Sequence, residues 1–469
     1  MNDGGGAEER LRKLRHGLVA SSVRSRLRGS KTSHQGLGAL AIAFAVAACL
    51  PGGTSEVSPQ EIPDLEAQIA DKPNDGKLLL RYGAALFAAG RCDSATAISR
   101  RGGDLRPADA LGPLVIGQCL EQSGDYDQAI ATYAAFTEAH GDSRGTAAVR
   151  AREMLARRER STTQARDALA RERELTAQPA NINAIAVLPL TIVGDTTYAP
   201  LGRGLAQMLI SDLSLLQRFT LVERLQVGAL LQELRLAETG RVDPATAARV
   251  GRLVRAGRMV QGVANIPSQG DVRLEATVVQ GDGQVTGPES TTGRLRDLLR
   301  MEKELVVGIS LRLGYRLSQA ERQLILENGT NNLTAFLSYS RGLLAEDIGD
   351  YSTAALHFSN AVQADPGFEM ARTQYEAAAA APAVEGASAN QVTTVSQTAV
   401  TEPLGPGDPV LSAVENVVSD IASTQAEQNT ADSQSGAQSA TTTNTAEPPP
   451  TQAAVVVKGI VRIVFKLPR

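Results

Sequence analysis

The sequence predicts a multi-domain α+β protein, in which helical hairpins flank an α/β sandwich domain and a disordered C-terminal tail follows. A residue pattern with a period of 34 occurs twice before residue 145 and again near residue 340. Between the copies, over 181–317, apolar runs typical of strands alternate with helical patterns, as in an α/β layer structure. From residue 377 the composition changes to Ala, Thr, Ser, Gln and Pro, which bury too little apolar surface to become ordered.

Length and charge limit the classes of function. The chain has 469 residues and a formal net charge of −4, so two or three domains are expected and a nucleic-acid partner is not. Aromatic residues make up only 3% and Trp is absent. This composition favours helices that pack through small side chains.

A short apolar run that ends in a cysteine predicts export. Leu37–Cys49 is too short to span a bilayer, which takes roughly 20 residues, but it suits a signal peptide. The lipidating enzyme needs the Cys49 thiolate, and the signal peptidase needs small side chains before it. We therefore interpret 1–48 as a lipoprotein signal peptide and 49–58 as a tether. The lipobox residues are Val46, Ala47 and Ala48.

Acylation of Cys49 would make the protein a bacterial lipoprotein, because several acyl chains on one residue give a stable anchor. Leu50 stands where an aspartate would favour retention in the inner membrane. We therefore expect an anchor in the outer membrane that faces the periplasm. The alternative is a buried core helix that carries a cysteine by chance.

Two further cysteines, Cys92 and Cys119, remain after Cys49. An exported compartment permits a disulfide between them. Two buried free thiols are equally consistent with the sequence, so both interpretations stay open.

Each copy of the 34-residue pattern has small residues at positions 8 and 20, and a glycine at position 15. Two antiparallel helices that cross closely need the small residues, and the glycine allows the chain to turn between them. The pattern resembles the tetratricopeptide repeat, whose period is 34, and this resemblance implies a groove that binds a peptide or a partner protein. The signature residues are Gly83, Ala95 and Pro107 in the first copy, Gly117, Gly124, Tyr126 and Ala129 in the second, and Gly342, Gly349, Tyr351, Ala354, Phe358 and Pro366 in the third.

The composition also predicts the domain boundaries. The first two repeats occupy 59–144, and the third lies at about 335–368 within a helical region, 318–376. The linker 145–180 is rich in Arg, Glu and Ala, so we expect it to be helical and mostly solvated.

Beyond the third repeat we expect a disordered low-complexity linker over 377–454 and a terminal β-strand over 455–469. Within the terminal segment, Val455–Leu467 has a strong β pattern, in which Val461, Ile463, Phe465 and Leu467 would share one face and Arg462 and Lys466 would lie opposite. A lone strand must pair, either with an edge of the α/β sheet or with a partner's sheet. The alternative is a tail that stays unpaired or aggregates.

The α/β domain is predicted from apolar runs, helical periodicity and turn signals. Asp243 and Pro244 open one helix as its cap and first residue. The predicted strands are Ala184–Leu190, Phe219–Glu223, Arg258–Asn265 and Val272–Val279, and the predicted helices are Leu201–Leu216, Val227–Leu236, Pro244–Val254 and Leu295–Leu313.

One motif in this domain resembles a known family. A strand that ends in Val222-Glu223-Arg224 is followed by a helix with Glu233, then by Gly240, and then by a strand with Gly262. The pattern resembles the periplasmic domain of the CsgG family of curli-secretion lipoproteins, and it is similar to TolB amino-terminal-like domains.

The resemblance to the CsgG family implies a ring-forming domain with long β-hairpins that enter the outer membrane. In this chain only a tight turn, around Ser268–Gly270, joins the strands that begin near Met259 and Leu274. Membrane hairpins need about 9–11 residues in each strand, so we expect no complete pore. A ring or a dimer through this domain stays open, and Glu223 with Arg224 is interpreted as an ion pair at the strand end or a structural feature of the family.

The sequence does not predict catalysis. None of the four histidines lies in the α/β domain, so a Ser-His-Asp or Cys-His arrangement cannot form there from its own residues. No Cys or His cluster has the spacing of a metal site, and we expect no cofactor. The sequence predicts a lipid-anchored scaffold that binds proteins, with an oligomeric secretion component or an activator of an envelope enzyme as alternatives.

Overall fold

The structure is a computed structural model that describes residues 58–385, except 142, 144 and 236–242. The lipobox, Cys49, Gly240 and the terminal strand lie outside the described residues. So do the predicted tether, apart from Ser58, and the low-complexity linker beyond residue 385. No helix of the described part is long and apolar enough to cross a bilayer.

Helical hairpins form where the 34-residue pattern predicts them. Asp125 and Asp350 cap the second helices of two hairpins by accepting a backbone N–H from the third residue of each helix. The helices of the first two hairpins, after α1 (Ile62–Asp71), are α2 (Gly76–Ala88), α3 (Cys92–Leu105), α4 (Leu111–Gln122) and α5 (Tyr126–Ala139), and those of the third are α13 (Leu333–Ile348) and α14 (Tyr351–Ala364).

The small residues of the pattern lie where the helices of each hairpin cross. A Cβ on Gly117 would overlap the ring of Tyr133, and one on Gly342 would overlap the ring of Phe358. In the first hairpin a Cβ on Gly83 would overlap the Ser99 hydroxyl and would lie 3.4 Å from the Ala95 carbonyl oxygen. The position-15 glycines have a positive φ, and the position-20 alanines are fully buried. These residues are Gly90, Gly124 and Gly349, and Ala95, Ala129 and Ala354.

The linker 145–180 is a helical pair, α6 (Thr146–Ala170) and α7 (Glu172–Ala177). The expectation that it is mostly solvated is wrong for α6. This helix packs against α5, against the helix Arg224–Glu233 and against the helix Glu369–Val384. Alanines such as Ala148, Ala151 and Ala156 are buried in it. Small side chains let three neighbours approach one helix, although they supply little apolar signal in the sequence.

The predicted disordered linker starts too early, because α15 (Glu369–Val384) continues past residue 376. Ala377, Ala381 and Val384 are buried in the same core as α5 and α6. Alanine has the highest helix propensity, and α6 offers a surface that these small residues fit. Composition within 377–384 could not reveal a partner that lies more than 200 residues away.

The contact between α6 and α15 joins hairpins from both ends of the described chain into one layer. The neighbours in space run α2, α3, α4, α5, α6, α15, α14 and α13. We call these eight helices the helical array. Along the array, α2–α5 follow one another in chain order, whereas α15, α14 and α13 follow in reverse chain order. The residues between α6 and α13 lie outside the array.

Those intervening residues form the sheet domain, and the predicted α/β sandwich is confirmed. The sheet order is β3-β1-β4-β5-β6. Strand β2 pairs with β4 on the same side as β1, further along β4. The β4–β5 and β5–β6 pairs are antiparallel and the other pairs are parallel. The strands are β1 (Asn181–Val187), β2 (Thr191–Gly194), β3 (Thr220–Leu221), β4 (Ala256–Ile266), β5 (Val272–Gln280) and β6 (Glu289–Gly293).

Helices cover both faces of the sheet. Ile185 and Val187 point to the core shared with α8 and α11, whereas Ala184 and Ala186 point to the core shared with α9 and α10. Strands β2 and β6 were not predicted, because they are short and β6 is polar. The helices are α8 (Leu201–Ser214), α9 (Arg224–Glu233), α10 (Pro244–Leu253), α11 (Leu298–Arg312) and α12 (Gln319–Glu327).

Candidate functional site at the junction of sheet and helices

The Val222-Glu223-Arg224 motif lies where β3 leads into α9. Val222 is buried in the core under α9 and α10. Of the two interpretations of Glu223 and Arg224, the structure contradicts an ion pair between them, because extended backbone at Glu223 directs the two side chains to different helices. The interpretation as a structural feature of the family stays a prediction. We call the contacts of this motif with the helical array the junction.

Glu223 binds the array through α6. Arg157 and Arg160, three residues apart on that helix, both donate to its carboxylate. Arg157 also holds Glu153, at 2.7 Å, and Arg160 also holds Asp127 of α5, at 2.9 Å. Glu223 therefore completes a charge network that the array has begun.

Arg224 binds the array through α13, and only 7% of its side chain is exposed. Its guanidinium donates to Asp347, and Glu346 lies 3.6 Å away. Burial alone would lower the pKa of Arg224, but Asp347 and Glu346 outweigh burial and raise it above its ordinary value. The guanidinium therefore stays charged inside the protein. Its Nε also donates to Gln207 of α8, at 3.2 Å.

Glu346 is a titratable group at this buried contact. Burial raises its pKa to about 7, although Arg224 lowers it. Its Oε2 has no hydrogen-bond partner among the described residues. The contact is close because Gly204 of α8 lies directly against Ser340 of α13. Near neutral pH, a proton can therefore enter or leave the junction at this carboxyl.

A second buried cluster lies inside the sheet domain, and sequence reasoning missed it. Lys303 of α11 donates to Asp212 of α8 at 2.7 Å, and Asn328 donates to the other oxygen of Asp212 at 2.7 Å. Burial, reinforced by Asp212, raises the pKa of Glu302 well above its ordinary value. The sequence contains a sign of this cluster, because the carboxylate of Asp212 interrupts an apolar helix face that includes Leu209 and Leu213.

These clusters are ion pairs rather than metal sites. Among the described residues, no group of three or more His, Cys, Asp or Glu side chains is arranged to hold a metal ion. Each buried charge in them has an opposite charge nearby, as buried ions require.

The other candidate residues make contacts that stabilise the fold. Cys92 and Cys119 form a disulfide with Cα atoms 5.4 Å apart, which links the start of α3 to α4. Glu233 accepts from Arg166 of α6 at 3.1 Å. A Cβ on Gly262 would lie 2.6 Å from the Glu275 carbonyl oxygen, so this glycine permits the close approach of β4 and β5.

The remaining repeat residues divide between packing and turns. Tyr351 is buried, and the guanidinium of Arg158 lies 5.8 Å from its ring centroid. Tyr126 is half-buried, and Pro107 and Pro366 are exposed in turns.

Comparison with known proteins agrees with the motif. Residues 168–264 match the model of a family described as "Curli production assembly/transport component CsgG". No curated protein matches the chain. The solved structures that match include one titled "Crystal structure of APC/C hetero-tetramer Cut9-Hcn1", at 12% identity over 68% of this chain and 46% of that chain. Its TM-score of 0.20 is too low to indicate a shared fold.

The family match covers the elements from α7 to α10, including β1, β2, α8 and β3, together with most of β4, and it contains the Val222-Glu223-Arg224 motif. The helical hairpins lie outside it. Residues 168–264 therefore form a CsgG-type domain, which this chain combines with tetratricopeptide-like hairpins.

Proposed function

We propose that the protein is a non-enzymatic, lipid-anchored scaffold of the bacterial envelope. In this proposal the helical array binds a protein partner, the CsgG-type domain makes assembly contacts, and Cys49 carries the lipid. The scaffold proposal rests mainly on the junction. Glu223 and Arg224 are adjacent in the chain, and they bind α6 and α13, which precede and follow the sheet domain in the sequence.

The junction makes the array and the sheet domain a single unit. To separate them, Arg224 and Asp347 would have to lose their ionic partners, and uncompensated buried charges are strongly unfavourable. A partner bound to the array is therefore held at a fixed position relative to the sheet domain. A scaffold needs this property, and it needs no catalytic group.

Two observations support a location in the envelope. The lipobox pattern ends at Cys49, and the matching family is described by its part in curli production. We expect labelled palmitate to enter the wild-type protein in cells and not the Cys49→Ser variant. An unlabelled wild-type protein in the cytoplasm would refute the anchor.

Partner binding is tested by photocrosslinking in cells from two positions of matched exposure. Leu105, at the end of α3, is 47% exposed, and Val285, in the sheet domain, is 46% exposed. A photoreactive residue at position 105 should crosslink to a specific envelope protein, and the same residue at 285 should not. Equal crosslinking to the same proteins from both positions would contradict a partner site on the array.

An oligomeric component of a secretion system is the second candidate, and the family description favours it. Light scattering of the full chain in detergent separates the two functions. A monomer or dimer supports the scaffold, whereas a large ring supports the secretion component.

A further inference from the structure

Strand β6 is an edge of the sheet. It pairs with β5 from Ala276↔Glu289 to Val272↔Gly293, and no described strand pairs with its other side. Alternate residues of an edge strand direct their N–H and C=O groups outward, where another strand can bind them. The edge therefore offers backbone hydrogen-bonding groups that the described part of the chain leaves to solvent.

The two faces of the sheet differ beside this edge. On one face α11 packs over β6, with Gly308 against Glu289 and Met301 against Gly293. On the other face Arg273 and Thr292 are exposed. A strand added beside β6 would therefore have one face towards α11 and the other face in water.

The part of α11 that projects past β6 is partly apolar. Glu304 accepts from Thr291 of β6 at 2.7 Å, so the residues on the same side of the helix lie beside the edge. Val307 and Leu311 continue that side at helical spacing. Leu311 is 47% exposed and Val307 is half-buried, so α11 keeps some apolar surface in water. This surface lies on a helix that also carries the exposed charges of Arg300, Glu304 and Arg312.

A segment of this chain outside the described residues has the matching pattern. In an extended strand, one face would carry apolar residues and Gly459, and the other face would carry three cations together with Val456, Ile460 and Val464. The apolar face comprises Val461, Ile463, Phe465 and Leu467, and the cations are Lys458, Arg462 and Lys466.

The same alternation occurs in β5, where Val272, Leu274 and Val278 face α11 and Arg273 faces water. It does not occur in β1, next to the β3 edge, whose residues from Ala184 to Val187 are buried on both faces. Strand β2, which pairs with β4, leaves a third edge of four residues. The pattern therefore fits the β6 edge and not the β3 edge.

The connection is long enough for this docking. Roughly 70 residues separate Glu385 from Val455, and a flexible chain of that length has an end-to-end distance of roughly 45 Å. A tether of this kind gives its end an effective concentration of about a millimolar. Docking within one chain is therefore favoured over docking on a second copy at micromolar protein concentrations.

We propose that Val455–Leu467 docks in cis as an added strand on β6, with Phe465 and its apolar neighbours on α11. Backbone hydrogen bonds to β6 supply affinity, and contacts with Val307 and Leu311 supply specificity. The docked strand shields an edge that otherwise recruits strands from other chains.

Amide hydrogen exchange on the full chain in detergent tests the docking. We compare the wild type with a chain that lacks residues 455–469. We expect the 289–293 amides to exchange at least about tenfold faster in the shortened chain, because edge amides lose their acceptors. A synthetic peptide of residues 453–469 should restore protection. Equal exchange in the two chains would overturn the proposal.

Matched variants test the face and the register. Leu311→Lys should speed the exchange of 289–293, whereas Leu324→Lys on α12, where leucine is 52% exposed, should not. Phe465→Asp should act like the truncation, whereas Val464→Asp, on the cationic face, should have a smaller effect. Equal effects within each pair would refute the assigned faces.

A dilution series separates cis docking from a second copy. Protection that is unchanged over a hundredfold dilution supports docking within one chain. Protection that disappears on dilution would show that the strand comes from a second copy, and it would overturn the proposal as stated.

Discussion

The second and third hairpins carry the same signature but are held by different neighbours. Position 12 of the repeat is Glu121 in the second hairpin and Glu346 in the third. Glu121 accepts from Tyr133 at 2.6 Å and from Arg152 of α6, so its partners lie within the array. Glu346 instead faces Arg224 of the sheet domain. The repeat therefore specifies a hairpin, whereas the residue that meets position 12 determines what the hairpin packs against.

The two hairpins also differ in how completely water is excluded. The Glu121 and Arg152 side chains are both 13% exposed, whereas those of Glu346 and Arg224 are 4% and 7% exposed. Ion pairs that exclude water depend more strongly on an intact partner. The third hairpin should therefore be the more sensitive to the loss of a charge.

The largest effect is expected from Arg224→Met. This variant leaves Glu346 buried without its cation, whereas Asp347 is still paired with Arg203 at 2.8 Å. The free energy of unfolding should fall by about 3–5 kcal/mol. The matched variant Arg152→Met, at the equivalent contact of the second hairpin, should cost less. Chemical denaturation measures both values, and equal losses would remove the distinction between the hairpins.

A disulfide joins the first hairpin to the second, and the third hairpin contains no cysteine. Removing the disulfide therefore tests the hairpins that the Arg224 contact does not hold. Cys92 and Cys119 are 27 residues apart, and closing a loop of that size contributes about 3–4 kcal/mol by loop entropy. Reduction, or the double variant Cys92→Ser with Cys119→Ser, should lower stability by this order. Hydrogen exchange should locate the loss in α2–α5. An equal loss in α13 and α14 would mean that the array unfolds as one unit.

The pH dependence of stability sharpens the comparison at Glu346. Its pKa is raised from 4.5 to about 7 by burial, so the folded state binds the extra proton between these values. The stabilisation is complete below pH 4.5 and is lost as the pH rises through 7, a change of up to about 3 kcal/mol. Glu346→Gln should reduce this slope without abolishing it, because burial also raises the pKa of Glu302, and Glu121→Gln should leave it. A wild-type stability that is flat from pH 5 to 8 would contradict the raised pKa.

The smallest effect is expected at position 8 of the repeats. Gly342→Ala forces the ring of Phe358 to move, which should cost about 1–3 kcal/mol by overpacking. The Cβ of Gly83→Ala overlaps the Ser99 hydroxyl, which can rotate away, and its other neighbours are at 3.4 Å. Its cost should therefore be below about 1 kcal/mol. Thermal denaturation compares the two. A larger loss for Gly83→Ala would show that ring packing does not set the crossing distance.

Sequence reasoning succeeded where structure depends on near neighbours. The crossing glycines, the caps at Asp125 and Asp350 and the turn glycine Gly349 follow from helix geometry over one 34-residue unit. It failed for β6, which is polar because one of its faces is in water. It also failed for the second half of α15, because alanine carries a weak apolar signal.

The sequence by itself determined the repeat hairpins, the α/β sandwich and the presence of the Val222-Glu223-Arg224 motif, because each depends on periodicity or local backbone chemistry. Only the tertiary structure decided that α15 returns to α6 and that Glu223 and Arg224 bind helices that precede and follow the sheet domain in the sequence. The physical reason is that a charged side chain can pair with any opposite charge that folding brings near. In the amino-acid sequence alone, nothing distinguishes Arg157 or Asp347 from the other charged residues as a partner of Glu223 or Arg224.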